Sequence, residues 1–342
     1  MSFKGWIKGM ALAGLCAVST PALAQDKTVS IATSTTGMLY LPLYVADVMG
    51  YFEEEGLDVT TQTMKSSAIM AAVIGGDVDI YPGTASAALR AVEKGTEIRI
   101  FGALLTQYAS NVVLSGSKAE ELGISEDSSF EERVAALEGL TIGVTGAGSG
   151  THQLALYLLR EAGLNPDSDA TIVFVGGSRE VLAAFERDRI DAFILSNPTS
   201  DTAVMNNDGF LLFDMVGGAV PELNGYPYIV LNARESWLKE DPERNAGLLR
   251  AIGKAQKAIT DPEQTEKVRD MVYEAYLSQF DKSLLDAAWA NVSQAYPESP
   301  MIDEKTIMMA IDYLNDFSDD KFDPSLASQV LVDEYVKQVV AN

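Results

Sequence analysis

Val29-Ser30-Ile31-Ala32-Thr33-Ser34-Thr35-Thr36-Gly37 opens a pattern that the chain later repeats. Val29 to Ala32 reads as a strand, Thr33 to Gly37 as a polar loop, and a helix is predicted from about Leu39 to Met49. Leu57 to Thr63 alternates as a second strand, and Ser66-Ser67 is expected to cap a helix running to about Ile74. Val78 to Tyr81 and Ile98 to Ala103 continue the series. Short β-branched runs alternating with helical patterns are the signature of βαβ units around mostly parallel sheets.

A second series starts at Thr141 to Val144, after the charge-rich stretch from Glu126-Asp127 to Glu131-Glu132, which reads as a surface insertion. Gly37, Leu41, Val45 and Gly50 are matched by Gly150, Leu154, Leu158 and Gly163. Ser66, Ala71-Ala72 and Val78-Asp79 are matched by Ser178, Ala183-Ala184 and Ile190-Asp191. The offset is about 112 to 113 positions throughout. The matches are sparse, and chance is the alternative; as a repeat they predict two α/β lobes of one topology, with corresponding loops in equivalent places.

Tyr228 to Asn232 reads as a strand returning the chain to the first lobe, and from Asp241-Pro242 onward the pattern is helical. Within that tail Asp261-Pro262-Glu263-Gln264 is expected to start a helix, a capping Asp followed by Pro. The tail helices are expected on the first lobe. Crossings near Asn111 to Gly116 and Gly218 to Tyr228 would make residues 25–113 and 222–342 the first lobe and residues 114–221 the second.

The 342 residues carry 25 Lys plus Arg against 49 Asp plus Glu, a formal charge of -24, and 47% are hydrophobic, the composition of an ordinary globular protein of about two domains. Such a charge repels polyanions, so neither nucleic acid nor an anionic membrane surface is an expected partner. Residues 1–24 read as a signal peptide: Lys4 and Lys8 form a basic start, Met10 to Val18 is apolar, and Ala22-Leu23-Ala24 suits cleavage after Ala24. The one Cys, Cys16, lies in the apolar run behind the bulky Leu15, which argues against a lipid anchor. A mature chain from Gln25 would hold no Cys, hence no disulfide, thiol nucleophile or thiolate metal site. No later stretch reaches about 18 uninterrupted apolar residues, so no direct membrane insertion is expected.

Gly50-Tyr51-Phe52-Glu53-Glu54-Glu55-Gly56-Leu57-Asp58-Val59, following Leu41-Pro42-Leu43-Tyr44-Val45-Ala46, resembles the periplasmic substrate-binding proteins of the nitrate, sulfonate, taurine and thiamine-precursor group, the NMT1-like binding proteins. Gly75-Gly76-Asp77-Val78-Asp79-Ile80 resembles that family's short link from helix to strand below the pocket. The resemblance covers most of residues 28–235. It implies a type II periplasmic binding fold: two α/β lobes joined by a two-strand hinge, with a C-terminal helical extension on the first lobe. It also implies a periplasmic, non-catalytic protein, expected as a monomer without cofactor or metal, that closes on a small molecule and delivers it to the permease of an ABC importer. A sensory module presenting ligand to a membrane receptor needs the same clamp, and an enzyme on this fold is the third reading. One His and no mature Cys supply little for covalent or metal chemistry.

In open α/β sheets ligands sit beyond the carboxyl ends of strands, where helix N-termini present free N–H groups. The candidate contacts on the first lobe are Thr35, Thr36, Met38, Tyr40, Ser66, Ser67, Thr84 and Tyr108. On the second lobe and the return crossing they are Ser149, Gly150, Thr151, His152, Ser178, Arg179, Asn197 and Tyr226. Thr145-Gly146-Ala147-Gly148-Ser149-Gly150-Thr151 places glycines after a strand, as an anion at the next helix requires, but a plain capped turn has the same sequence. It is no dinucleotide fingerprint, for Thr stands at 151 where Gly is needed. Arg179 follows a Gly-Gly turn, from which its guanidinium could meet a carboxylate or sulfonate with two parallel bonds; a surface ion pair is the alternative. His152 is expected neutral near a positive helix end. Tyr40, Tyr108 and Tyr226 are preferred among the aromatic residues near strand ends, ahead of Tyr81 and Tyr228. Glu53-Glu54-Glu55 and Asp319-Asp320 read as solvated faces. An anion-bearing or polar aromatic ligand is the class these residues favour.

Overall fold

Lys27–Thr33 forms β1, and Leu57–Thr63, β2, lies parallel to it with Lys27 opposite Leu57 and Thr33 opposite Thr63. The computed structural model describes Met1, residues 27–317 and residues 321–340, so the expected signal segment beyond Met1 and the Asp319-Asp320 run fall outside the described residues. The remaining strands are Ile80–Gly83 (β3), Ile98–Leu105 (β4), Asn111–Ser115 (β5), Thr141–Val144 (β6), Thr171–Phe174 (β7), Ala192–Leu195 (β8), Gly209–Phe213 (β9) and Ile229–Arg234 (β10). They build two five-stranded sheets, ordered β2-β1-β3-β10-β4 and β7-β6-β8-β5-β9.

The two orders are the same permutation. In each sheet three parallel strands are followed by an antiparallel one, and that fourth strand is the one that has just arrived from the other lobe: β5 pairs antiparallel with β8 and β9, and β10 with β3 and β4. Equivalent aspartates tie the parallel strands. Ser30 N donates to Asp79 Oδ2 at 2.8 Å, and Thr141 N to Asp191 Oδ2 at 2.8 Å. The Val78-Asp79 and Ile190-Asp191 matches of the sequence repeat are thus a shared device for holding neighbouring strands in register.

Several boundaries differ from the sequence reading, each for a local reason. The first crossing precedes Asn111, because Asn111–Ser115 is already a strand of the second sheet, so the turn between lobes is residues 106–110. The third strand starts at Ile80 rather than Val78, since Asp79 is spent on Ser30. Ser66 and Ser67 begin the helix Ser66–Gly75 but neither caps it; Lys65 takes the cap position without a side-chain bond. Asp261 starts no helix. Its carboxylate accepts from Glu263 N at 2.9 Å and Gln264 Nε2 at 2.5 Å in a turn, and the helix begins at Thr265. The Asp-Pro start signal is instead realised one helix earlier, where Asp241 caps Pro242–Thr260 and accepts from Arg244 N at 2.9 Å. Nor is Glu53-Glu54-Glu55 a wholly solvated face: Arg250 reaches Glu55 at 2.8 Å and Lys254 reaches Glu54 at 2.9 Å, which bolts the tail to the first lobe.

The tail also touches the second lobe. Tyr313, on the helix Glu304–Phe317, packs its ring 5.1 Å from Tyr157 on the second-lobe helix Gly150–Glu161, and 5.1 Å from Tyr226 on the return crossing. Tyr108 from the first crossing stacks on Tyr228 at 4.1 Å. Both crossings, the tail and the second lobe therefore meet in one buried aromatic cluster.

Asp241 also pairs with Lys27 at 2.8 Å. Partial desolvation pushes its carboxyl up, but Lys27 and the Arg244 N–H outweigh this and hold it below the ordinary carboxylate range. Asp241→Ala is expected to cost about 1 kcal/mol at neutral pH. A depressed pKa contributes stability above its unfolded value and loses it as pH falls through the folded one, so the gap to wild type should narrow on acidification. Thermal unfolding at neutral pH and near pH 3 measures both effects.

Candidate functional site

The carboxyl ends of β1, β3, β6 and β8 converge between the lobes, and the loops that leave them carry hydroxyls rather than charges. Ser34 and Thr35 follow β1, Thr84 follows β3, and Thr145, Ser149 and Thr151 follow β6. With Ser66, Ser110, Tyr40, Tyr81 and Tyr228 they line a chamber of about 30 Å³, which Gly83, Gly150, Leu39, Leu195 and Ile229 complete. That volume holds about two waters. Among the described residues no acidic or basic side chain lines it.

Three helices begin at its wall. Ser66–Gly75 starts with a lining residue, Thr84 is the N-cap of Ala85–Glu93, and Ser149 is the N-cap of Gly150–Glu161, its hydroxyl accepting from His152 N at 3.3 Å. The exposed N–H groups of such helix starts carry partial positive charge. Thr151 Oγ1 accepts from Thr145 N at 3.0 Å and lies 2.9 Å from Ser149 Oγ, which holds the glycine-rich loop in shape. Burial pushes the phenols of Tyr40, Tyr81 and Tyr228 up, so at neutral pH they are uncharged O–H groups able to donate. Tyr40 Oη is 2.9 Å from Ser34 Oγ, and Tyr228 Oη is 2.6 Å from Ser110 Oγ.

Direct bonds cross between the lobes around the chamber. Met38 N donates to Asn197 O at 3.1 Å, Gln153 Nε2 to Ser86 Oγ at 2.5 Å, and Tyr108 Oη to Gly150 O at 2.6 Å. Two wider openings flank the chamber. One, of about 800 Å³, is lined by Thr36, Ser178 and Arg179 together with tail residues; the other, of about 700 Å³, includes Ser67, Met64 and Phe174.

Of the sequence candidates, Thr35, Tyr40, Ser66, Thr84, Ser149, Gly150 and Thr151 line the chamber, and Thr36, Ser67, Ser178 and Arg179 line its openings. The other five stand elsewhere. Met38 is buried in the core, and its backbone serves the bond to Asn197 and one from Tyr296 Oη. Tyr108 and Tyr226 belong to the aromatic cluster behind the chamber. Asn197 is buried with its side-chain amide donating to Asp201 Oδ2 at 2.7 Å, and it caps no helix. His152 accepts from Gly148 N through Nδ1 at 3.1 Å and sets its ring edge-on to Phe174. Burial, and then Arg90, hold its pKa below the ordinary value, so it is neutral. Its Nδ1 is occupied by a backbone N–H and Ser149 Oγ donates to Gly146 O at 2.7 Å, so the two side chains form no nucleophile–base pair.

Tyr40 lines the chamber as expected, and Tyr81 and Tyr228 line it in place of Tyr108 and Tyr226. Tyr81 lies in the third strand before Pro82-Gly83-Thr84 and Tyr228 immediately precedes the return strand, whereas Tyr108 and Tyr226 lie inside the crossings. Ser110 has no comparable signal.

The matched sheets and the interlobe chamber define a two-lobed protein of the periplasmic binding fold. The chain belongs to the NMT1-like family, whose model matches residues 24–272. YtlA of Bacillus subtilis (strain 168), named as a binding protein, is 22% identical over 294 residues, covering 83% of this chain and 82% of its own. A solved protein of Bordetella bronchiseptica RB50 is 25% identical, with a TM-score of 0.78 over 93% of this chain and 98% of that one. The alkanesulfonate-binding protein SsuA of Xanthomonas axonopodis pv. citri, bound to MOPS, has a TM-score of 0.70 at 15% identity, over 91% and 99% of the chains. The periplasmic nitrate-binding protein NrtA of Synechocystis PCC 6803 has a TM-score of 0.72 at 15% identity, over 93% and 89%. These matches place the chain in the NMT1-like family and on the fold of the periplasmic binding proteins.

Gly150 leaves no room for a side chain at the chamber wall. An added Cβ would stand 2.6 Å from the Tyr228 ring. Gly150→Ala is expected to cost about 1–3 kcal/mol and to prise the lobes apart. A lower melting temperature together with a larger radius of gyration in solution scattering checks this.

Proposed function

We propose that this protein captures a small organic molecule bearing an anionic group between its lobes and hands it to the permease of an ABC importer. The observation that carries this reading is the convergence of three helix N-terminal turns, from both lobes, on a chamber lined by hydroxyls and free of carboxylates. In a chain of formal charge -24, a chamber without acidic lining favours an anion over a cation. Neutral hydroxyl and N–H donors bind without a counter-charge, so release to a transporter needs only reopening of the lobes.

Capture would run through closure. The open lobes admit the molecule, its anionic head meets the helix starts of Ser66, Thr84 and Ser149, and closure forms the bonds that seal the chamber. Arg179, exposed at the opening and without an ion pair among the described residues, is suited to a second polar contact with two parallel bonds. The same reading takes the protein to be exported, cleaved after Ala24, monomeric and periplasmic. It also takes it to be non-catalytic, in keeping with the separate hydrogen-bond commitments of Ser149 and His152.

Thermal-shift screening of the chain from Gln25 to Asn342 against alkanesulfonates, aromatic carboxylates, inorganic anions and pyrimidines tests the reading. At about 100 times its dissociation constant a ligand adds about 2.7 kcal/mol, a clear shift. Hits are expected among the anions; stabilisation confined to uncharged pyrimidines would overturn the assignment. Arg179→Ala should weaken the best anion by more than about tenfold. Because His152 is neutral and bonded away from the cavity, His152→Gln should leave affinity unchanged, and wild-type affinity should stay flat between about pH 6 and 8. Isothermal titration across that range reads both.

A further inference from the structure

The larger opening, of about 800 Å³, has three sides rather than two. Ser34 to Thr36 and Thr63 come from the first lobe, and Gly177 to Glu180, Leu182, Thr202 and Asn206 from the second. The third side is the tail segment Tyr276, Gln279, Phe280 and Asp281.

That segment is built to hold a fixed position. Tyr273–Leu277 forms a π-helical turn, a rare element that recurs at functional sites. Within it Tyr276 stacks on Tyr44 at 4.3 Å, and its hydroxyl donates to Asp47 Oδ2 at 2.5 Å, so the turn is fastened to the first-lobe helix Leu41–Val48. Asp281 is committed as the cap of Lys282–Val292, accepting from Ser283 N at 2.9 Å, and that helix touches the second-lobe helix Thr199–Asn206. Gln279 is exposed and Phe280 half-buried, and both line the opening. Leu182 stands on the second-lobe side of the same opening. The chamber and this opening share Ser34 and Thr35, so the two adjoin.

The two volumes separate ligand classes. A chamber of about 30 Å³ has no room for more than a head group, whereas the opening has the size of a site for a drug-sized body. We propose that Tyr276, Gln279 and Phe280 are specificity-determining residues, and that the cargo is an organic anion whose apolar or aromatic body extends from the chamber to this wall. The proposal rests on the anion reading above and adds the size class and the residues that read it. A small inorganic oxyanion would fill the chamber and leave the wall untouched.

Isothermal titration with two series of common head group tests it: methanesulfonate, butanesulfonate and naphthalene-2-sulfonate, and acetate, pentanoate and 2-naphthoate. In the series whose head binds, affinity should rise by at least about tenfold from the shortest member to the naphthyl member. Phe280→Ala should remove most of that rise while leaving the affinity for the shortest member unchanged, which also shows that the variant is folded. Gln279→Leu, at an exposed position, should instead tighten the naphthyl member several-fold. Anions that bind with no gain from length, or a gain that neither variant moves, would overturn the wall and leave the anion reading standing. Failure of every anion in both series would overturn that reading and this one together.

Discussion

Each sheet of this protein is completed by a strand delivered from the other lobe. β10 sits between β3 and β4 with both its edges paired, and β5 sits likewise between β8 and β9. Neither lobe can satisfy the backbone groups of its interior strands unless the chain crosses twice, so the lobes are tied by two chain crossings as well as by the contacts around the chamber. The two crossings lie against each other, with Tyr108 stacked on Tyr228, so the chain passes between the lobes at one place. The aromatic cluster of Tyr108, Tyr226, Tyr228 and Tyr313 fills the space behind the crossings, and Tyr228 presents another part of itself to the chamber.

The site draws its electrostatics from the backbone. A strongly acidic chain creates a neutral to positive chamber by keeping carboxylates out of the lining and aiming helix starts at it. Serine and threonine suit that task because their hydroxyls both hold the loops and remain available to a ligand, as Thr151 does with Thr145 and Ser149. Buried phenols add donors that carry no charge at neutral pH.

Particular residues show which parts of the site were readable. Thr35, Thr84, Ser149, Gly150 and Thr151 were legible because strand ends and helix starts follow from hydrophobic period and cap chemistry, and ligands in α/β folds gather at those ends. Tyr108, Tyr226 and Met38 were misplaced, since an aromatic or thioether near a crossing has the same sequence signature whether it faces a cavity or the core beside it. Asp261 was misread for a similar reason. An Asp-Pro pair supports both a helix cap and a free turn, and only the packing of the neighbouring helix separates them. The tail residues Tyr276 to Phe280 carried no signal, because they reach the cleft across more than two hundred positions from Thr35.

The sequence by itself determined the two α/β halves, their shared order of elements and the loops at which a ligand could sit, for these depend on interactions within a few residues: strand alternation, glycine turns, helix caps and the paired Asp79 and Asp191. Only the tertiary structure decided which hydroxyls face one another across the cleft, that β5 already belongs to the second sheet, and that the tail closes the third side of the opening. Those facts depend on contacts between distant segments, whose geometry is set by how whole sheets and helices pack.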